Sequence, residues 1–211
     1  MTGKQMPSNI EITYINKSMN KDLPTIFVFT KNETPTFDAL KEGVAWRVIP
    51  NIGRASSSSF IYPISTEVGA RWHDGQNKTE TLPSTIGKRY TVNKNDTGVV
   101  LVANGDASDS KSIEINNNIN VLNGISAQLY KDGKLMMVKN IVGFDQKATF
   151  VLKPKLYWGV ASEIQESQLL NSAVLNTDTF FEQNLEGVSK ATISLNGNAQ
   201  EGYSFKIESQ E

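Results

Sequence analysis

The dipeptide Asp132-Gly133 stands between two apolar segments and restricts how this part of the chain can fold. Both residues tolerate the positive φ angles of a two-residue type I′ turn, so the surrounding sequence predicts a β-hairpin. In the register that this turn implies, Tyr130 faces Leu135 and Leu129 faces Met136. One face of the hairpin is then apolar, and such a hairpin is stable only when that face packs on another sheet.

Alternating apolar and polar residues recur along most of the chain, as in Ile10, Ile12 and Tyr14. This period of two is typical of half-buried strands, and turn residues separate the alternating segments. We therefore predict an all-β fold, an antiparallel β-sandwich of about ten to twelve short strands that is Ig-like or jelly-roll-like. At most one or two short helices are expected, one before Gly43 and one over 162–171.

The 211 residues are enough for one large β domain or for two small ones. We predict a disordered N-terminal arm over residues 1–9 and a single β-sandwich domain over 10–211. The alternative is a pair of small β domains over 10–104 and 112–211, divided at a polar loop.

Composition excludes several classes of function. The chain has no cysteine and one histidine, so disulfides, thiolate metal sites and a multi-histidine metal centre are not expected. Its formal net charge of −1 argues against a nucleic-acid partner. No apolar run approaches the roughly 20 residues of a transmembrane helix. No signal peptide is recognised, which leaves the cytoplasm or export without an N-terminal signal as the two cellular locations.

A polar loop near the middle of the chain carries oxygen-bearing side chains at alternate positions. These are Asn104, Asp106 and Ser108, with Asp109 directly after them, and calcium-binding loops use such alternate spacing. The loop lacks the glycine and the final glutamate of an EF-hand, and the same residue types also build turns by bonding their own backbone. Calcium is therefore the one cofactor that the sequence leaves open.

Candidate ligand-binding residues are Trp72, His73, Asp74 and Tyr130. Aromatic faces stack on sugar rings, and the polar loop that follows Trp72 would bring hydrogen-bonding groups beside it. The same tryptophan and tyrosine also suit a core position, so the sequence leaves both roles open.

These observations favour a non-catalytic binding protein that recognises a glycan or a protein ligand through the loops of a β-sandwich. A first alternative is a self-associating structural or membrane-active, toxin-like subunit, which would make the protein a homo-oligomer. A second alternative is a carboxylate-based enzyme acting on polysaccharide, for which the sequence offers Glu163 with Glu166 and Asp178 with Glu182.

Overall fold

The computed structural model describes residues 9–19, 24–50, 52–170 and 180–211. Within these residues it contains seventeen strands and one four-residue helix, so the all-β prediction is confirmed. The strands are β1 (Asn9–Asn16), β2 (Thr25–Phe29), β3 (Arg47–Ile49), β4 (Ser57–Pro63), β5 (Thr66–Trp72), β6 (Asn77–Lys78), β7 (Leu82–Ser84), β8 (Lys88–Asn95), β9 (Gly98–Asp106), β10 (Ser112–Asn117), β11 (Ile125–Lys131), β12 (Lys134–Val142), β13 (Lys147–Val151), β14 (Lys155–Ala161), β15 (Phe181–Asn184), β16 (Lys190–Asn198) and β17 (Gly202–Gln210). The helix is α1 (Ala39–Glu42).

The strand count exceeds the predicted ten to twelve because several strands are too short to show alternation. Strands β3, β6 and β7 have only two or three residues each. Residues 1–8 of the predicted N-terminal arm lie outside the described residues, and Asn9 begins β1. In the described part of the chain, no helix is long and apolar enough to span a membrane.

The chain divides into two compact units. The first takes residues 1–30, 45–64 and 154–211, and the second takes 31–44 and 65–153. Strands β5 to β13 of the second unit therefore stand in sequence between strands of the first. The predicted single domain over 10–211, and its alternative of two domains over 10–104 and 112–211, both stay predictions.

The first unit contains two four-stranded sheets, ordered β17-β16-β1-β4 and β15-β14-β2-β3. Aromatic rings join them: Trp158 of β14 lies 6.3 Å from Tyr14 of β1 and 6.0 Å from Phe205 of β17, centroid to centroid. The buried indole N–H of Trp158 donates to Gln183 Oε1 at 2.9 Å, which satisfies its one polar atom. The two sheets thus pack face to face around an aromatic core.

The second unit also contains two sheets, ordered β13-β10-β8-β9 and β12-β11-β5-β6, with β7 pairing the remaining part of β5. Alternate residues of both sheets are buried, including Ile113 and Ile115 of β10 and Ala127 and Leu129 of β11. Most neighbouring strands are antiparallel, as predicted, but β1 with β16 and β10 with β8 are parallel. The sheets are therefore mixed.

The hairpin at Asp132-Gly133 is present. Both residues have the positive φ angles that the turn requires, 54° and 67°. Tyr130 pairs with Leu135 as predicted, but Leu129 pairs with Met137 rather than Met136. A bulge between Tyr130 and Leu129 inserts one residue, which shifts the register beyond it.

Other local predictions had mixed outcomes. The helical turn before Gly43 is present as α1, whereas 162–170 contains no helix and residue 171 lies outside the described residues. Strand β10 ends at Asn117, a polar residue in a buried position. Asn117 fits there because its buried amide donates to Val142 O at 2.9 Å and its Oδ1 accepts the Ile119 N–H at 3.0 Å.

Candidate functional site

An open groove of about 580 Å³ lies on the second unit. Its walls come from the turn between β5 and β6, from residues 122–124 before β11, and from residues 140 and 141 of β12. Trp72, His73 and Asp74, three of the four predicted ligand-binding residues, line it together.

The first wall is a tight turn with left-handed backbone. His73, Asp74 and Gly75 have φ angles of 51°, 54° and 84°. The turn is closed by a hydrogen bond from Gln76 N to His73 O at 3.1 Å, and the Asn77 amide lies 3.1 Å from His73 Nδ1. These contacts fix the turn that carries His73 and Asp74 at the rim of the groove.

The second wall carries exposed apolar side chains on strained backbone. Leu122 is 81% exposed and Ile141 is 75% exposed, the two highest values among the large apolar side chains of the described residues. Ile141 has a φ of 59°, a region that a β-branched residue rarely adopts. Gly124 allows the two segments to meet, because a Cβ at its position would lie 2.4 Å from Val142 O.

The floor is polar and comes from the outer face of two paired strands. Ser126 of β11 pairs with Arg71 of β5, and Gln128 pairs with Gly69. Arg71, Ser126 and Gln128 all line the groove. Hydrogen-bonding groups therefore lie between a tryptophan-bearing turn and an apolar wall.

Tyr130, the fourth predicted residue, lies in an adjoining pocket of about 430 Å³ that Arg71 also lines. Its ring lies over Gly69, where a Cβ would come within 3.2 Å of the ring. Its hydroxyl donates to Gln128 Oε1 at 2.5 Å. Burial raises the pKa of Tyr130, while the Arg71 side chain acts in the opposite direction, so the hydroxyl stays protonated at neutral pH.

The four calcium candidates are engaged by the protein itself. Asp106 ends β9 and its carboxylate lies 2.7 Å from Lys88 Nζ, while the Asn104 amide donates to Thr91 Oγ1. Asp109 Oδ1 accepts the Lys111 N–H at 3.0 Å, as in a turn. Among the described residues, no three His, Cys, Asp or Glu side chains form a group able to hold a metal ion. Calcium binding stays a prediction, and the Asp106–Lys88 ion pair counts against it.

The remaining candidate, Ser108, belongs to a polar cluster around Glu114. The Glu114 side chain is 2% exposed and contacts Arg89 Nε at 3.0 Å and Lys147 Nζ at 2.6 Å. Lys147 also donates to Ser108 Oγ at 2.8 Å. Burial alone would raise the pKa of Glu114, but the hydrogen bonds from Lys147, Arg89 and Ser108 lower it to about 2. This carboxylate therefore stays ionised and fastens the loop to the sheet.

Three of the four predicted carboxylates, Glu163, Glu166 and Glu182, do not line the groove. Glu163 and Glu166 are exposed in the first unit. Glu182 forms an ion pair with Lys155 and accepts the Tyr157 hydroxyl at 3.0 Å, and its predicted partner Asp178 lies outside the described residues. Asp74 is the one carboxylate among the described residues that line the groove.

Sequence reasoning missed Arg71, Leu122 and Ile141. Arg71 precedes Trp72, and its place on the same strand was the one available signal. Nothing in the local sequence indicates that Ile141 adopts a left-handed conformation. Leu122 precedes the dipeptide Asn123-Gly124, a turn signal that could have placed it on a loop.

Comparison of the chain with protein-family models, with curated proteins and with solved structures finds no match.

Proposed function

We propose that this protein is a non-catalytic binding protein and that it recognises a glycan in the groove beside Trp72. The observation that carries the proposal is the union, in one open groove, of Trp72, His73 and Asp74 with the polar floor of β5 and β11. Glycan sites combine an apolar face for the sugar ring with polar groups for its hydroxyls, and this groove offers both.

The backbone of the groove supports a binding role. Of the eight non-glycine residues with left-handed φ in the described chain, four line it: His73, Asp74, Asn123 and Ile141. Such conformations cost free energy and cluster at sites where the chain must hold a fixed shape. Tight turns on two sides also reduce the entropy that binding would otherwise cost.

A glycan array tests the proposal, with calcium chelated and with calcium added. Asp74→Ala should abolish or strongly weaken the signal, because it removes a hydrogen-bond acceptor at the rim. Asp96→Ala is the matched control, since Asp96 is an exposed aspartate on the turn between β8 and β9. Absence of binding in both calcium conditions, or equal loss in the two variants, would overturn the proposal.

A second candidate function is a self-associating or membrane-active subunit. The observation in its favour is the exposure of Leu122, Ile141 and Phe144, which is 81%, 75% and 57%. Exposed apolar groups of this size often mark contact with another protein or with a lipid surface.

Light scattering and a liposome-leakage assay separate the two candidates. Under the second candidate, Leu122→Ser should reduce association or leakage, whereas Ile86→Ser should not; Ile86 is 53% exposed and does not line the groove. A stable monomer that causes no leakage would remove this candidate.

A further inference from the structure

We infer that the ligand of the groove carries a carboxylate, as an acidic sugar does, and that Arg71 binds it. The inference rests on the proposed function, because it names the ligand class of the same groove. Two observations carry it: the state of the Arg71 side chain and the charges that surround it.

Arg71 is half-buried, and its Nε is buried without a hydrogen-bond partner among the described residues. A buried guanidinium N–H that bonds to nothing is costly, and buried polar groups are nearly always paired. A ligand oxygen that reaches Arg71 would supply the missing acceptor.

No carboxylate of the described chain forms an ion pair with Arg71, in contrast to Arg89, which pairs with Glu114. Arg71 acts on the Tyr130 hydroxyl, which is neutral at pH 7, and the Glu67 carboxylate acts on the same hydroxyl without forming an ion pair with Arg71. The positive charge is thus available to an anion, and a guanidinium prefers the two oxygens of a carboxylate, which it can bind through two N–H groups.

The other charged and titratable groups that line the groove are His73 and Asp74. Both lie on the turn at the rim, whereas Arg71 precedes that turn on β5 and also lines the adjoining pocket of Tyr130. Asp74 can accept hydrogen bonds from sugar hydroxyls while Arg71 holds the carboxylate. The adjoining pocket is also lined by Glu67, Lys78 and Glu80, so the ligand carboxylate meets Arg71 from the groove side, away from these two glutamates.

The test uses a panel of uronic-acid oligosaccharides and the same oligosaccharides after carboxyl reduction, with affinity measured by calorimetry on the full chain. The intact protein should bind at least one acidic member about tenfold or more tightly than its reduced counterpart. Arg71→Gln should remove this preference, and Arg71→Lys should restore part of it, because lysine keeps the charge but not the two-pronged geometry.

Arg54→Gln is the matched control, since Arg54 is exposed and belongs to the first unit. It should leave the preference unchanged. Equal affinity for acidic and reduced members would overturn this inference and leave the proposed function standing. Binding of neither kind would overturn both. A preference that persists in Arg71→Gln would show that another residue selects the charge.

Discussion

Glu114 gives the sharpest test of how the second unit is stabilised. Its pKa falls from the ordinary value of 4.5 to about 2 in the folded state. Each pKa unit corresponds to about 1.4 kcal/mol, so ionised Glu114 contributes about 3 kcal/mol to the free energy of unfolding. Because the folded pKa is the lower one, this contribution is complete above pH 4.5 and disappears as the pH falls through 2.

Glu114→Gln keeps the shape of the side chain and removes its charge. Arg89 and Lys147 are 31% and 43% exposed, so both can turn toward water when the carboxylate is lost. We therefore expect a loss of about 2–3 kcal/mol at pH 7, below the upper range for breaking a fully buried ion pair. The difference in the free energy of unfolding between the native protein and Glu114→Gln should decrease by about 2 kcal/mol from pH 7 to pH 3, because the native protein loses the contribution of ionised Glu114.

Urea unfolding followed by circular dichroism measures both quantities. Hydrogen exchange of peptides from β10 assigns the change to the second unit. Glu163→Gln is the control, because Glu163 is exposed, and it should behave like the native protein at every pH. A gap of the same size at pH 7 and pH 3 would refute the role given to the Glu114 charge.

Three further substitutions test other parts of the structure by urea unfolding. Ile141→Asn should raise the free energy of unfolding by about 1 kcal/mol by relieving left-handed strain, and a loss of stability would contradict this reading. Gly159→Ala should lower the free energy of unfolding by about 1–3 kcal/mol or prevent folding, because its Cβ would lie 2.3 Å from Phe27 Cζ. The control Gly53→Ala should change the free energy of unfolding little, because the nearest atom to its Cβ is 3.8 Å away. Burial lowers the pKa of Lys131 to about 8. Lys131→Met should therefore have a higher free energy of unfolding than the native protein at pH 7. This difference should shrink toward pH 10, because Lys131 of the native protein becomes neutral there. A difference in the free energy of unfolding that does not change with pH would refute this prediction. The control Lys94→Met, at an exposed site, should show neither the higher stability at pH 7 nor its decrease toward pH 10.

The parts of the fold that depend on local sequence were predictable. Alternation marked β1, and the Asp132-Gly133 turn marked the β11–β12 hairpin, because both patterns act between near neighbours. The bulge beside Leu129 was not predictable, since it depends on how β12 fits its surroundings. The burial of Asn117 was equally hidden, because its partner Val142 lies 25 residues away.

The residues of the groove also divide into those that local sequence predicts and those that depend on distant segments of the chain. The sequence identified Trp72, His73 and Asp74 because they follow one another at the end of β5 and in the turn after it. It could not identify Leu122 or Ile141 as their neighbours, because the pairing of β5 with β11 brings these segments together. Arg71 was missed for a related reason: its significance lies in a buried Nε without a hydrogen-bond partner among the described residues, which only the folded chain reveals.

The order of strands in the first unit has a consequence for synthesis on the ribosome. Strand β1 lies between β4 and β16, so one neighbour emerges early and the other emerges more than a hundred residues later. All strands of the second unit are made in that interval, and they can pair before the first unit is complete. Loss of the last two strands would therefore leave β1 with an unpaired edge, while every residue that lines the groove belongs to the second unit, so we expect a truncated chain to keep the groove but to become prone to aggregate.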